Sequence, residues 1–372
     1  MNFVTRKNDS AAAGKIDNGL AAERESGASC ACCAPRRKFL TGLAALGAGA
    51  FIPGCQSTGP AAGESGGKPH RVDVHHHVVP PVYSAALRAH GIRDVRWTIQ
   101  ASIDEMDKSG IATSITSLPP PGVSFGDVPL GRKLARDANE YAARLVSDHP
   151  GRFGSFAALP LLDAGGAKLE IGYALDTLKA DGFNLMTSYA GKYLGDPVFW
   201  PVLDELNRRK AVVYTHPLPP LCCARVVPGI PVSTIEYAMD TTRTMTSLMF
   251  SGAAARYPDI RWIFSHSGGV APFLVSRFER LEHDTKDIKQ KLPSGALYEL
   301  KKFYYDTAQG NHEGALGALL KIAPVSQLLY GTDFPFRDGA EINAGLTKYF
   351  SAADLRAIDR DNALRLFPGL RG

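Results

Sequence analysis

"VDVHHHVVP", residues 72–80, places three histidines in a row at the end of a β-branched run. In an extended strand successive side chains point to opposite faces, so His75 and His77 share a face while His76 points away. The H-x-H pair can chelate one ion; neighbouring histidines cannot do so easily. A surface cluster of histidines would look the same, so the question is whether other strand ends supply further ligands.

Eight apolar, β-branched or aromatic runs read as strands: "RVDVH" (71–75), "ATSITSL" (112–118), "FGSFAAL" (153–159), "FNLMTS" (183–188), "AVVYTH" (211–216), "IRWIFSH" (260–266), "FYYD" (303–306) and "QLLYGTD" (327–333). Amphipathic stretches such as 129–150, 167–182 and 197–210 lie between them and read as helices. The alternation predicts an α/β fold of the (β/α)8 TIM-barrel kind, which takes roughly 250 residues. The competing doubly wound sheet often carries a glycine-rich turn after its first strand, and this chain has none there. Five runs end on residues capable of chemistry: His75/His77, His216, His266, Asp306 and Asp333. In a barrel those ends converge on one mouth, where active sites sit.

The chain has 372 residues, 45% of them hydrophobic, with formal net charge +5. Seven of its 42 Lys/Arg and four of its 37 Asp/Glu fall within residues 1–54, so the remainder is close to neutral. Nothing in this balance argues for a nucleic-acid partner. Residues 1–55 read as a signal segment: Arg36 and Arg37 precede an apolar run from Phe39 to about Pro53, shorter than the ~20 residues of a membrane span. The paired arginines resemble a twin-arginine export signal, and "IPGC" resembles a lipoprotein processing site with Cys55 as the lipidated residue. The expectation is therefore an exported protein, periplasmic or membrane-anchored, the alternative being cytoplasmic with a retained N-terminal arm. Residues 56–69, "QSTGPAAGESGGKP", read as a flexible tether, and 70–372 as one domain. Cys222 and Cys223 alone remain in that domain, and disulfide geometry disfavours a bridge between neighbours.

His216 closes "AVVYTHP", His266 closes "RWIFSHSGG" and Asp333 closes "LLYGTDFPF". A carboxylate after so apolar a run is costly to leave unpaired, and a cation is the simplest partner. His75, His77, His216 and Asp333 together offer three nitrogens and one oxygen, a suitable set for one divalent transition ion with a position left open.

The set "DVHHHVVPP", "VVYTHP", "DTTRTMTSLMFSGAAARYPDIRWIFSHSGGVAPFL", "LLYGTDFPF" and "RDNALRLF" resembles the amidohydrolase superfamily, specifically its aminocarboxymuconate-semialdehyde decarboxylase-like branch, over about residues 70–370. That resemblance implies that His75, His77, His216 and Asp333 hold one zinc or manganese ion, and that His266 transfers a proton beside it. His266 and Asp333 are then the expected catalytic residues. "DGFNLMTSY" offers no lysine of the kind that bridges two ions in other members, which implies a single metal. The implied reaction is decarboxylation of a small unsaturated or aromatic carboxylate; the alternative is hydrolysis of a small lactone, ester or amide. A surface lipoprotein that keeps the barrel only as a binding module is a third reading. Either reaction needs a cationic clamp, for which Arg93, Arg96 and Arg243 are candidates. Phe125, Asp127, Tyr189 and Phe334 are expected pocket walls, and the branch commonly forms homodimers.

Overall fold

The computed structural model describes residues 70–223 and 226–370. The signal segment, the tether and Cys55 lie outside the described residues. All eight expected strands form: β1 (Arg71–His77), β2 (Ile111–Ser117), β3 (Phe153–Ala158), β4 (Gly182–Met186), β5 (Val212–His216), β6 (Arg261–Phe264), β7 (Tyr304–Asp306) and β8 (Leu328–Leu329). They pair in parallel and in chain order. The expected strand 327–333 is regular only over Leu328–Leu329, yet its continuation closes the barrel. The Val74 N–H bonds the Tyr330 carbonyl (2.9 Å), the Asp333 N–H the His75 carbonyl (2.7 Å), and the His77 N–H the Phe334 carbonyl (2.8 Å). Within this continuation Asp333 takes a left-handed φ of 68°, and Phe334 beyond it still bridges His76.

The helices form where the apolar period predicts. In Val128–Asp148, Leu134, Ala135, Ala138, Ala142 and Leu145 recur at three- and four-residue steps and are buried against the barrel. Asp127, expected at the pocket, instead caps this helix by accepting the Leu130 N–H at 2.7 Å. Among the described residues no helix is long and apolar enough to cross a membrane.

Two apolar layers result, one between strands and helices and one inside the barrel. The inner layer joins Val72, Val74, Ile115, Phe156 and Tyr214 to Leu366 and Phe367 of the C-terminal segment. Phe156 stacks on Tyr214, with centroids 5.4 Å apart and planes 4° apart. The Tyr214 hydroxyl then reaches up to Asp306 at 3.2 Å, so this floor also holds the layer above it. Phe156→Ala is expected to destabilise the fold by about 3–5 kcal/mol, the usual cost of deleting a buried aromatic ring. Urea unfolding measures this, and a loss under about 1 kcal/mol would show the floor to be loosely packed.

Candidate metal centre

On β1, Val72 and Val74 join the inner layer, so strict alternation would send His75 outward. A register shift between Asp73 and His76 breaks the alternation and turns His75 and His77 into the mouth. Asp73 fixes the shift: its carboxylate accepts the backbone N–H of His75 (3.0 Å) and of Thr332 (3.1 Å) and the Thr332 hydroxyl (2.7 Å). His76 faces away, as the alternation within the triplet predicts. It bonds Asp73 (3.2 Å) and Ser102 (2.9 Å) and stacks on Phe334.

The four histidines and Asp333 meet at one point. Asp333 Oδ1 lies 3.1 Å from Nε2 of both His75 and His77, and its Oδ2 lies 3.5 Å from His266 Nε2. One donor atom from each of His75, His216, His266 and Asp333 lies within 4.8 Å of all the others. The His216 ring centroid is 5.2 Å from that of His75 and 5.0 Å from that of His77. Gln309 donates from Nε2 to Asp333 Oδ2, the same oxygen that faces His266.

The tautomers follow from the Nδ1 partners. His75 Nδ1 faces Asp306 (2.9 Å), His216 Nδ1 the Pro217 carbonyl (2.9 Å), and His77 Nδ1 the Ser117 carbonyl (3.4 Å). The partners of His75 and His216 only accept, so each of those Nδ1 atoms carries a proton, and the neutral His216 ring presents its Nε2 lone pair to the centre. His77 instead bonds the Asp333 carboxylate through Nε2 (3.1 Å), and its Nδ1 also lies 3.5 Å from the Ser117 hydroxyl. The Nε2 atoms of His75 and His216 are buried without a hydrogen bond; the 3.1 Å approach of His75 Nε2 to Asp333 is ionic proximity without hydrogen-bond alignment. Three imidazole rings gathered around an ionised carboxylate, two of them with an Nε2 buried and without a hydrogen bond, offer nitrogen and oxygen donors that fit a divalent ion.

Electrostatics agree with that fit. Burial, then the neighbouring His77 and His75, hold His216 well below its ordinary pKa, and burial lowers that of His77. Burial pushes Asp333 up, but His75, His266 and His77 outweigh it and keep the carboxyl ionised. Burial opposes charge on His75, yet Asp306 and Asp333 raise its pKa to about 10. A proton on His75 is thus the charge that an incoming cation displaces.

Asp306, flagged in the sequence only as a strand end, is the support behind the site. It bonds His75, the Tyr214 hydroxyl (3.2 Å) and the backbone N–H groups of His266 (2.9 Å) and Ala308 (3.0 Å). Backbone strain gathers in the same place. His266 (φ 55°), Ser267 (φ 55°), Gln309 (φ 53°) and Asp333 (φ 68°) are all left-handed, a conformation costing L-residues roughly 1–2 kcal/mol each.

A cavity of about 800 Å³ opens on His216 and Asp333. Arg93 and Arg96 line it, as do Tyr237, Gln309, Phe336 and Arg337, which sequence reasoning did not single out. Their only sequence signal is adjacency: Gln309 follows Asp306 by three residues, and Phe336 and Arg337 follow Asp333. Arg243, expected as a clamp, is not among the lining residues. It lies on helix Val232–Phe250 and faces Glu236 (3.4 Å) and Cys223 Sγ (3.9 Å). Three expected walls are likewise elsewhere: Phe125 packs on His90, Tyr189 is buried against Phe199, and Phe334 covers His76. Cys222 and Cys223 are bonded to each other, contrary to expectation. A turn in which the Cys223 N–H meets the Pro220 carbonyl (3.1 Å) brings the sulfurs together.

Residues 72–369 match the family model described as amidohydrolase. A decarboxylase of Aspergillus niger, yanB, is 38% identical over 322 residues, covering 80% of this chain and 87% of the relative. The 6-methylsalicylic acid decarboxylase of Penicillium expansum is 34% identical over 316 residues, covering 81% and 97%. A crystal structure described as an amidohydrolase II superposes with a TM-score of 0.75 at 28% identity, covering 80% of this chain and 99% of that one. The chain belongs to the amidohydrolase family.

Because a cation must displace the His75 proton, its affinity is expected to rise with pH, by up to about tenfold per unit between pH 6 and 8. Asp306→Asn removes one cause of the raised pKa and one orienting bond, so it is expected to weaken binding about 10–100-fold and flatten that rise. Competition titration with a chelating dye measures both; wild-type-like affinity in the variant would refute the role of Asp306.

Proposed function

We propose that this chain is a divalent-metal-dependent, non-oxidative decarboxylase of a small aromatic carboxylate. The observation that carries the reading is the convergence of the His75, His77 and His216 rings and the Asp333 carboxylate beside a cavity rimmed by arginines. The decarboxylases of Aspergillus niger and Penicillium expansum, both above 30% identical over most of their length, support the reaction, and the 6-methylsalicylic acid of the latter supports an aromatic substrate.

His75, His77, His216 and Asp333 would hold the ion, and their donor atoms suit zinc or manganese alike. When bound, such an ion is a Lewis acid that gathers and stabilises anionic oxygens of the substrate. Arg93 and Arg96 then pair with the carboxylate at the rim. Tyr237 and Phe336, whose rings lie 6.0 Å from His216 and 5.5 Å from His77, offer faces to an aromatic ring. His266, its backbone tied to Asp306 and its Nε2 beside Asp333, delivers a proton to the carbon bearing the carboxylate. The bond from that carbon to the carboxylate breaks, its electron pair returns to the ring, and CO2 leaves. One proton is consumed for each CO2 released.

Salicylates and other hydroxybenzoates are expected to release CO2 from metal-loaded protein, whereas a panel of lactones and aryl esters stays intact; the opposite pattern would establish a hydrolase. His266→Ala is expected to retain about one ion per chain while kcat falls about 10²–10⁴-fold, the usual share of a general acid. Undiminished turnover in that variant would remove His266 from the mechanism.

The paired arginines Arg36 and Arg37 and the apolar run behind them support export, with Cys55 as a lipid anchor. Cys55→Ser is expected to move the protein from the membrane to the soluble fraction of the cell envelope. A variant that still sediments with membranes would count against lipidation at this position.

A further inference from the structure

The rim of the main cavity holds more positive charge than one carboxylate can use. Arg93, Arg96 and Arg337 all line it, against only two acidic residues, Asp94 and Asp333. Both acids are committed elsewhere. Asp94 accepts from the Ser84 hydroxyl and from the Arg88 guanidinium, and Asp333 is enclosed by histidines and Gln309. Among the described residues Arg93 and Arg96 make no hydrogen bond and no ion pair. Arg337 has one loose partner, Glu341 at 3.9 Å, with both side chains about half exposed, a pairing worth little.

The charge therefore awaits a ligand. A carboxylate engages a guanidinium through two parallel N–H bonds, so the scissile group occupies one or two of these forks. The cavity's ~800 Å³ lies well up the range of about 300–1,000 Å³ that accommodates drug-sized ligands, and it exceeds the needs of a bare benzoate. Arg337 is also held in place: its backbone N–H bonds the Asp333 carbonyl at 3.2 Å, so the loop that positions Asp333 sets the third guanidinium too.

Building on the decarboxylase reading, we infer that the substrate carries a second carboxylate on its aromatic ring and that Arg337 is the specificity-determining residue that reads it. Arg93 and Arg96 meet the carboxylate that is lost. Arg337 meets the one that is kept, so the product leaves as an aromatic monocarboxylate. Since all three arginines sit at a wet rim, the discrimination is salt-sensitive.

The test has a binding arm and a kinetic arm. In calorimetry on the metal-loaded wild type, isophthalate or terephthalate is expected to bind at least about tenfold more tightly than benzoate, and 0.5 M NaCl to shrink that ratio. Arg337→Gln is expected to shrink it as well, and Arg337→Lys, which keeps the charge but not the fork, to restore part of it. In the kinetic arm, hydroxyisophthalates and hydroxyterephthalate are expected to show a lower KM than salicylate, and Arg337→Gln to raise the dicarboxylate KM at least tenfold more than that for salicylate. Arg337 is half exposed with one weak partner, so the variant should melt with the wild type; circular dichroism verifies it. Equal binding of benzoate and the dicarboxylates, or an Arg337→Gln effect shared equally by both classes, overturns the inference. Either result leaves decarboxylation itself intact, because that rests on CO2 release from hydroxybenzoates. If no aromatic acid releases CO2, the decarboxylase reading fails, and the binding ratio still decides the role of Arg337.

Discussion

Three carboxylates, Asp73, Asp306 and Asp333, are buried at one end of a barrel whose floor is hydrocarbon, and meeting their charge organises everything around them. Each meets it differently. Asp73 is saturated by backbone N–H groups, a hydroxyl and His76, which spends it on holding the irregularity in β1. Asp306 is saturated by His75, Tyr214 and two backbone N–H groups, which spends it on orienting a ring and a loop. Asp333 is met by side chains alone, the Nε2 atoms of His75, His77 and His266 and the Gln309 amide. Asp73 and Asp306 are tied to backbone N–H groups, whereas Asp333 is held by side chains that can also serve a ligand.

Rigidity comes from the same arrangement. The floor packs Phe156 on Tyr214, Tyr214 bonds Asp306, and Asp306 bonds both His75 and the backbone of His266. A ligand histidine and the proton-bearing histidine are therefore fixed by one buried anion. The left-handed residues at the ends of β6, β7 and β8 belong to this design. Strained conformations persist only where the surroundings over-determine them, and here hydrogen bonds to Asp306, Asp333 and the β1 backbone do so.

The cavity above the centre is built less tightly. Its arginines are exposed and weakly paired, and its walls come from segments after β1, β2, β5, β7 and β8. A deep, locked centre beneath an adaptable rim lets one family keep its chemistry while its members change substrates, since function resides in the site and not in the barrel.

Much of this was legible in the chain alone. Eight strand runs and their polar endings are local patterns, and local patterns follow from the two-residue period of a strand and the 3.6-residue period of a helix. That is why the barrel, the H-x-H pair and the convergence of His216, His266 and Asp333 on it could be read without coordinates. The shift in β1 could not, because Thr332, which holds Asp73 in it, lies 259 residues away in sequence. The tie from Asp306 to His75 spans 231 residues and is equally invisible to periodicity. Arg243 and Arg337 exchanged places for a related reason. Arg337 follows Asp333 by four residues and the turn there brings it to the cavity, whereas Arg243, far from any ligand in sequence, is presented to Glu236 by helix Val232–Phe250. Residue type and spacing determined which side chains reach the mouth of the barrel; the direction each one faces there was decided by contacts between segments that meet only once the barrel has closed.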